Sequence, residues 1–389
     1  MKLHSIQNAI PLIGLCYLFL ASIVAADNED ESDVIAWLQQ RTGKIVRDEE
    51  HPDKPVIEVY FTGPYGPDPN FGDEELKKLL AFADLRSLRL QRSNVTDAGM
   101  TVLTRFRKLQ NLDVTWTKVT DKGVKRLAAI ESLRSLNLSQ TTFTGTALKA
   151  FAGHRQLVHL DVQGTQVGND ALKHLELLPN LATLWLYHTK VTDDGMKHLT
   201  CLTSLRELNL GWNALTDEGV KEVATLKKLQ HLDLYCSPIT DASLRAVSRL
   251  KQLESLGLDL TKVSDAGLRE LAKLRQLRSL TLASTQVSNA GLEEVAKLKQ
   301  LRTLSLSSCL FVNDAGMRRL TSLKRLNVLN IYKTNVTDVG LAVLYDSANL
   351  QKSLNRLDTG YTKISDNGLR LAKRALPECN IYDGYHDWE

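Results

Sequence analysis

The phrase VTDAG at Val95 returns every 24 residues. Copies start at Val119, Phe143, Val167, Val191, Leu215, Ile239, Val263 and Val287, then at Val312, Val336 and Ile364 with steps of 25, 24 and 28. A divergent copy, FGDEELKKLLAFADLRSLRLQRSN, begins one period earlier at Phe71. A fixed period of this length makes each unit one supersecondary element that must stack on its neighbours. The unit reads V-T-D-x-G-L-x-x-L-x-x-L-x-x-L-x-x-L-x-L-x-x-T-x, and its two halves have different periods. Leu208-Asn-Leu210 alternates by two and suits a short strand with one buried face. LRELAKL, from Leu268 to Leu274, has a spacing near three and suits a short helix or 3₁₀ stretch. Thr or Ser before the Asp is a good helix N-cap, and the acid favours the helix N-terminus. The Gly two residues after the Asp becomes Ala147, Ala171 or Ser243 elsewhere, which points to close packing between coils rather than a positive φ.

One such unit cannot bury its own apolar stripe. Stacked units make a continuous core, with strands in a parallel sheet about 4.8 Å apart. The L-x-x-L-x-L-x-x-T/N core at this period resembles the leucine-rich repeat superfamily. The VTDxGL phrase resembles a bacterial subgroup that carries a secretory signal, and also the variable units of F-box-associated repeat proteins. The resemblance runs from Phe71 to the C-terminus. It implies an α/β leucine-rich repeat solenoid, a curved horseshoe with a parallel concave sheet and short convex helices, capped at both ends. It says almost nothing about a ligand. One departure is Thr at 117, 141, 165 and 189, where the family more usually has Asn after the strand. A hydroxyl ladder is expected there in place of an amide ladder.

The ends of the chain differ from the repeats. Lys2 and His4 precede an apolar run from Ile10 to Ala21, followed by Ser22-Ile-Val-Ala-Ala26, and acidic residues begin at Asp27. This is the order of a secretory signal peptide, with cleavage expected after Ala26. The implied compartment is outside the cell, the periplasm or the cell envelope. A membrane association is expected only if residues 1–26 stay as an anchor; the run from Ile10 to Ala26 is at the short limit for a span. Residues 27–70 are read as an N-terminal capping segment. Ser32 caps a helix from Asp33 to Thr42 that Gly43 stops, and KIVRD and VIEVYF form two strands, the second starting the sheet. The loop GPYGPDPNFG is read as a connector. Residues 71–363 hold the repeats, and residues 364–389 hold the last partial repeat and a C-terminal cap with Ile381, Tyr382, Tyr385 and Trp388. Cys201, Cys236, Cys309 and Cys379 are scattered without a CxxC pair, so free packed thiols are expected rather than a disulfide framework or a zinc site. Net charge is +4, which gives no pointer to nucleic acid.

Strand alternation allows exposed columns to be read from the period. The column between the two strand leucines includes Asp113, Asn137, Asp161, Trp185, Asn209 and Asp233. Two residues on lie Gln163, Tyr187, Gly211 and Tyr235, and next come Trp116, Gly164, His188 and Trp212. Trp185, Tyr187, His188, Trp212 and Tyr235 therefore gather on adjacent coils, with space expected beside Gly164 and Gly211. Exposed rings of this kind resemble the anchor region of a binding surface. Asp161, Asp233, His159 and His231 are expected to rim it, and Trp116 shares the exit column. The rival reading is that the rings stack on one another and cover the sheet. The HLD pairs His159–Asp161 and His231–Asp233, with Ser135 and Ser139 nearby, suggest a catalytic constellation on paper. An open sheet offers little pocket for it, and the two pairs lie roughly 14 Å apart, too far to share an ion. The reading is a binding protein with no catalytic residue, metal or cofactor and no nucleic-acid partner. Its partner is a protein, with a glycan or cell-wall component, or a passive envelope role, as alternatives. A basic column before the strands, including Lys227, Lys251, Lys299, Arg302 and Arg325, is read mainly as cations at helix C-termini.

Overall fold

The computed structural model describes residues 30–62 and 70–384. The signal-like segment, most of the loop after Thr62, and Tyr385 and Trp388 of the expected C-terminal cap lie outside the described residues. Among the described residues one sheet carries its strands in chain order. They are β1 (Gly43–Arg47), β2 (Val56–Phe61), β3 (Ser87–Arg89), β4 (Asn111–Asp113), β5 (Ser135–Asn137), β6 (His159–Asp161), β7 (Thr183–Trp185), β8 (Glu207–Asn209), β9 (His231–Asp233), β10 (Ser255–Gly257), β11 (Ser279–Thr281), β12 (Thr303–Ser305), β13 (Val328–Asn330), β14 (Arg356–Asp358) and β15 (Asn380–Tyr382). From β2 onward every pairing is parallel and in register, so Leu184, Leu208 and Leu232 lie side by side. Those leucines, and the second leucine of each pair, form a continuous buried core along the solenoid.

The N-terminal end differs in detail from the sequence reading. Helix α1 spans Glu31–Gln39, two residues earlier at its start, because Asp30 rather than Ser32 is the N-cap and accepts from the Ser32 amide at 2.9 Å. Gly43 does not stop that helix but opens β1. β1 pairs antiparallel with β2, so β1 rather than β2 is the first strand of the sheet. The hairpin covers the strand edge that a bare first coil would leave open. At the far end β15 pairs with β14, and Arg356 lies 4.6 Å over the Tyr382 ring.

On the convex side a carboxylate joins most coils to the next, with an amide in its place at Asn169 and Asn289. Asp97 accepts from the Thr120 amide at 2.8 Å, the Thr120 hydroxyl at 2.7 Å and the Gly123 amide at 3.0 Å. The bonds from the amide and hydroxyl recur at Asp73, Asp193, Asp217, Asp241, Asp265, Asp314 and Asp338, and the third bond at Asp193 and Asp217. The Thr also caps its own helix, as Thr120 does for Asp121–Leu127. This explains the small residue after the Asp: a Cβ at Gly99 would lie 2.4 Å from Asp73 Oδ1. The seam has one gap. Its carboxylate position is Gly145, its hydroxyl position in the next coil is Gly168, and the segment Thr146–Phe151 is 3₁₀ rather than α-helical.

The expected hydroxyl ladder is not found. Thr117, Thr141, Thr165 and Thr189 each donate to a carbonyl three residues back in their own coil, at 2.6–2.9 Å. A threonine side chain is too short to span two coils. Asn213 is long enough: its amide donates to Leu186 O of the preceding coil at 2.8 Å and its oxygen accepts from the Thr189 amide at 3.1 Å. The four described cysteines are free, with Cys309 and Cys379 buried and Cys201 exposed. Part of the basic column does serve helix ends: Lys227, Lys251 and Lys299 each donate to a carbonyl of the residue closing the preceding helix, at 2.6 Å.

Candidate binding surface

The rings predicted from the columns fall into two groups. Tyr187, His188, Trp212 and Tyr235 form one cluster at the exits of β7 to β9. Trp212 and Tyr235 are nearly parallel (19°) with centroids 6.5 Å apart, and His188 stands edge-on to Trp212 at 5.4 Å. Tyr187 lies over the Gly211 position, 6.4 Å from Tyr235. The space expected beside Gly211 is therefore filled by the two tyrosines. The space beside Gly164 is filled by the Gln140 side chain, whose amide nitrogen stands 2.1 Å from where a Cβ would be. The rings do pack on one another, yet Trp212 keeps 46% of its surface exposed.

Trp185 belongs to the second group. Its ring meets His159 edge-on at 5.1 Å, and its indole N–H donates to Glu207 Oε1 at 2.9 Å. It walls a groove of about 450 Å³ across β7 to β11 that also exposes Glu207, His231 and Asp233. Gly257 makes room for the Asp233 carboxylate in the groove, since a Cβ there would lie 2.5 Å from Asp233 Oδ1. The open sheet thus carries a concavity here, and a second one of about 380 Å³ lies across β3 to β6. Trp116 is 55% exposed but lies apart, separated from the cluster by the coils of Gln140 and Gly164.

Two features of the surface were not visible in the columns. Every strand-exit residue from Arg92 to Tyr361 has positive φ, including Trp116 (58°), His188 (51°) and Trp212 (55°). That conformation costs a non-glycine residue about 1–2 kcal/mol, and from Arg92 to Lys333 each is held by a hydrogen bond from its amide to the next coil, such as Trp212 N to Tyr235 O at 2.8 Å. The turn lifts the exit side chain off the sheet. Only Gly164 hints at it in the sequence. The second feature is that the acids and amides of the strand column are turn acceptors. Asp161 Oδ1 takes the Gln163 amide at 3.0 Å, Asn209 takes Gly211 at 3.0 Å and Asp233 takes Tyr235 at 3.0 Å.

Asp161 accordingly does not rim the surface. It is 2% exposed, and burial pushes its pKa up to about 6 against its two hydrogen bonds from Gln163. Asp233 is half-buried, and burial also raises its pKa. His159 is held below its usual value by burial, with Glu207 opposing. Neither HLD pair is hydrogen-bonded to itself among the described residues. The Ser139 hydroxyl donates to Asn137 at 2.6 Å, so it is not poised beside a base. Among the described residues no three His, Cys, Asp or Glu side chains are placed to hold a metal ion.

Comparison with known proteins settles the family. A model described as a leucine-rich repeat region matches residues 188–366, and one described as a leucine rich repeat matches residues 107–128. The chain is a leucine-rich repeat protein. No curated protein matches its sequence significantly. Its fold is similar to the crystal structure of an internalin from Listeria monocytogenes, with a TM-score of 0.61, 22% identity, and coverage of 91% of this chain and 94% of that one. A TDR receptor matches with a TM-score of 0.52 and 15% identity over 81% of this chain and 57% of the receptor. At such identities these likenesses concern the fold.

The buried acid in this leucine-rich repeat protein makes a pH-dependent prediction. A carboxyl whose folded pKa is raised binds its proton more tightly in the fold, so stability falls as pH rises from about 4 to about 6. Asp161→Asn is expected to stabilise the protein by about 1–2 kcal/mol at pH 8, with the gain vanishing near pH 4. Urea melts of both forms at the two pH values check this; an equal difference at both would show that ionisation of Asp161 carries no cost.

Proposed function

We propose that this leucine-rich repeat protein is exported and recognises another protein on its concave face, with no catalytic role. The observation that carries the reading is Trp212 standing half-exposed among Tyr187, His188 and Tyr235 beside the groove walled by Trp185. Large rings left open to water next to a concavity are the residues that dominate binding energy at protein interfaces. Asp233 lies within the groove, and Trp116 stands exposed on the same face beyond the coils of Gln140 and Gly164. Asp161 contributes beneath it, by fixing the turn that carries Gln163. Export rests on the order of charge, apolar run and small residues up to Ala26. Among the described residues no helix is long and apolar enough to cross a membrane.

The test is a pull-down from the native envelope or medium with the wild-type chain and with the Trp185→Ala/Trp212→Ala double variant, followed by affinity and melting measurements on each single variant. Loss of one ring at the centre of an interface is expected to weaken binding of the captured partner about 30-fold, or about 2 kcal/mol. If affinity is unchanged while the melting temperature drops, the rings serve only to pack on one another. The exported chain is expected to begin at Asp27; a mass that retains Met1 to Ala26 rejects cleavage. The near-parallel Trp212 and Tyr235 favour a second reading, a glycan lying flat on the platform. Capture of an oligosaccharide with no protein in the eluate would select it.

A further inference from the structure

The unit beginning at Val336 is 28 residues long, and its extra length forms the helix Ala348–Ser353. This insertion opens a cavity of about 560 Å³ at the edge of the sheet where β12 to β14 begin. Arg302, Arg325 and Lys352 line it, with Asn327, Asn355 and Ser353 between them and no carboxylate. Several other cations of this protein have evident partners. Arg278 pairs with Glu254 at 3.1 Å and Arg319 with Glu293 at 2.7 Å, while Lys227, Lys251 and Lys299 cap helix ends. Among the described residues none of the three cavity cations forms an ion pair, and Arg325 bonds only the neutral Gln300, at 2.6 Å. The helix dipole does not account for them all. Arg302 immediately precedes a strand, and Arg325 lies five residues beyond the end of the helix Asp314–Leu320, whereas the dipole fades within the last turn.

A second observation points the same way. The Ser353 hydroxyl is shielded from solvent and has no hydrogen-bond partner in the protein. A shielded hydroxyl is costly unless something bonds to it. The Asn327 side chain is steered into the same region, since its amide donates to Ser353 O at 3.1 Å.

We propose that this notch binds a tetrahedral oxyanion, a phosphate or sulfate group carried on a small molecule. Two guanidinium forks and an ammonium match a group with several acceptor oxygens and two negative charges. A single carboxylate would leave most of the positive charge uncompensated. The cavity is large enough to admit part of the carrier. The site is remote in the fold from the aromatic cluster, which belongs to β7 to β9, and does not depend on the binding role proposed for it.

Calorimetric titration of the whole chain with sodium phosphate, sodium sulfate and sodium acetate at matched ionic strength tests the site. Phosphate or sulfate is expected to bind about tenfold or more tightly than acetate. Arg302→Ala/Arg325→Ala should abolish the preference, and both residues are exposed, so the fold is expected to persist. A charge-matched control, Arg105→Ala/Arg107→Ala, should retain it. Equal weak responses to all three anions, or a preference that survives the first variant, overturn the proposal. A preference lost equally in the control also overturns it, since net charge alone would then explain the binding. Glucose 6-phosphate and glucose 6-sulfate then distinguish the two sources of the group.

Discussion

Replacing Asp217 by alanine is expected to cost about 2–4 kcal/mol, although the residue is half-exposed. Its carboxylate accepts from the Thr240 amide at 2.9 Å, the Thr240 hydroxyl at 2.6 Å, the Ser243 amide at 3.2 Å and the Ser243 hydroxyl. Alanine removes an acceptor from four donors of the next coil at once, and of these the Ser243 amide keeps a second acceptor, Thr240 O at 3.1 Å. Asp217→Asn should lose much less, since Asn169 holds this position natively and serves Thr192 with both ends of its amide, at 2.9 and 2.8 Å. Burial works against the charge on Asp121 and Asp217, yet the hydroxyl and amide donors outweigh it and hold both below the usual carboxylate value. A group with a lowered folded pKa stabilises above the unfolded value and ceases to as pH falls through the folded one. Acid below about pH 4 should therefore weaken the wild type while leaving the alanine variant with less to lose. Chemical denaturation of the three forms at pH 7 and pH 3 checks the ranking. A difference between wild type and alanine variant that is the same at both values would remove the carboxylate from the account.

A comparable loss, about 2–5 kcal/mol, is expected for Leu208→Ala. Leu208 is 1% exposed and lies in register between Leu184 and Leu232. Nothing in a continuous stack can collapse into the hole without disturbing two coils. The adjacent Asn209→Ala should cost about 1 kcal/mol. From the sequence alone Asn209 is an exposed position whose loss should cost under about 0.5 kcal/mol. The structure raises the expectation, because Asn209 Oδ1 accepts the Gly211 amide. Equal midpoints for the two variants in urea would contradict the inside–outside alternation of β8.

The parts of this fold that repeat were legible because one unit contains their cause. Alternation at Leu208 and Leu210 and the three-spaced leucines from Leu268 to Leu274 each need only neighbouring residues to be read. What was not legible lies between units. That Asp97 reaches Thr120, or Asn213 the carbonyl of Leu186, depends on how far a side chain extends across two coils, and the pattern of one coil is silent on that distance. The binding surface shows the same division. The columns correctly placed Tyr187, His188, Trp212 and Tyr235 on neighbouring coils. They did not reveal that Trp185 turns to His159 and Glu207 instead, or that Asp161 is buried. Positive φ at non-glycine residues such as Trp116 has no marker in composition. The notch at Arg302, Arg325 and Lys352 follows from an insertion that was visible as a 28-residue step, but what a longer coil encloses depends on where its extra helix lies.

The gap in the carboxylate seam between Gly145 and Gly168 has a consequence for how the stack comes apart. In a linear array stability is close to a sum of units and nearest-neighbour contacts, so cooperativity extends only as far as those contacts stay strong. Removing the cross-links at one interface lowers the free energy of a boundary there relative to every other interface that has them. The solenoid therefore has a built-in domain wall: partial opening is cheapest with coils up to Phe143 on one side and coils from Val167 on the other, and the ring cluster lies wholly within the second block.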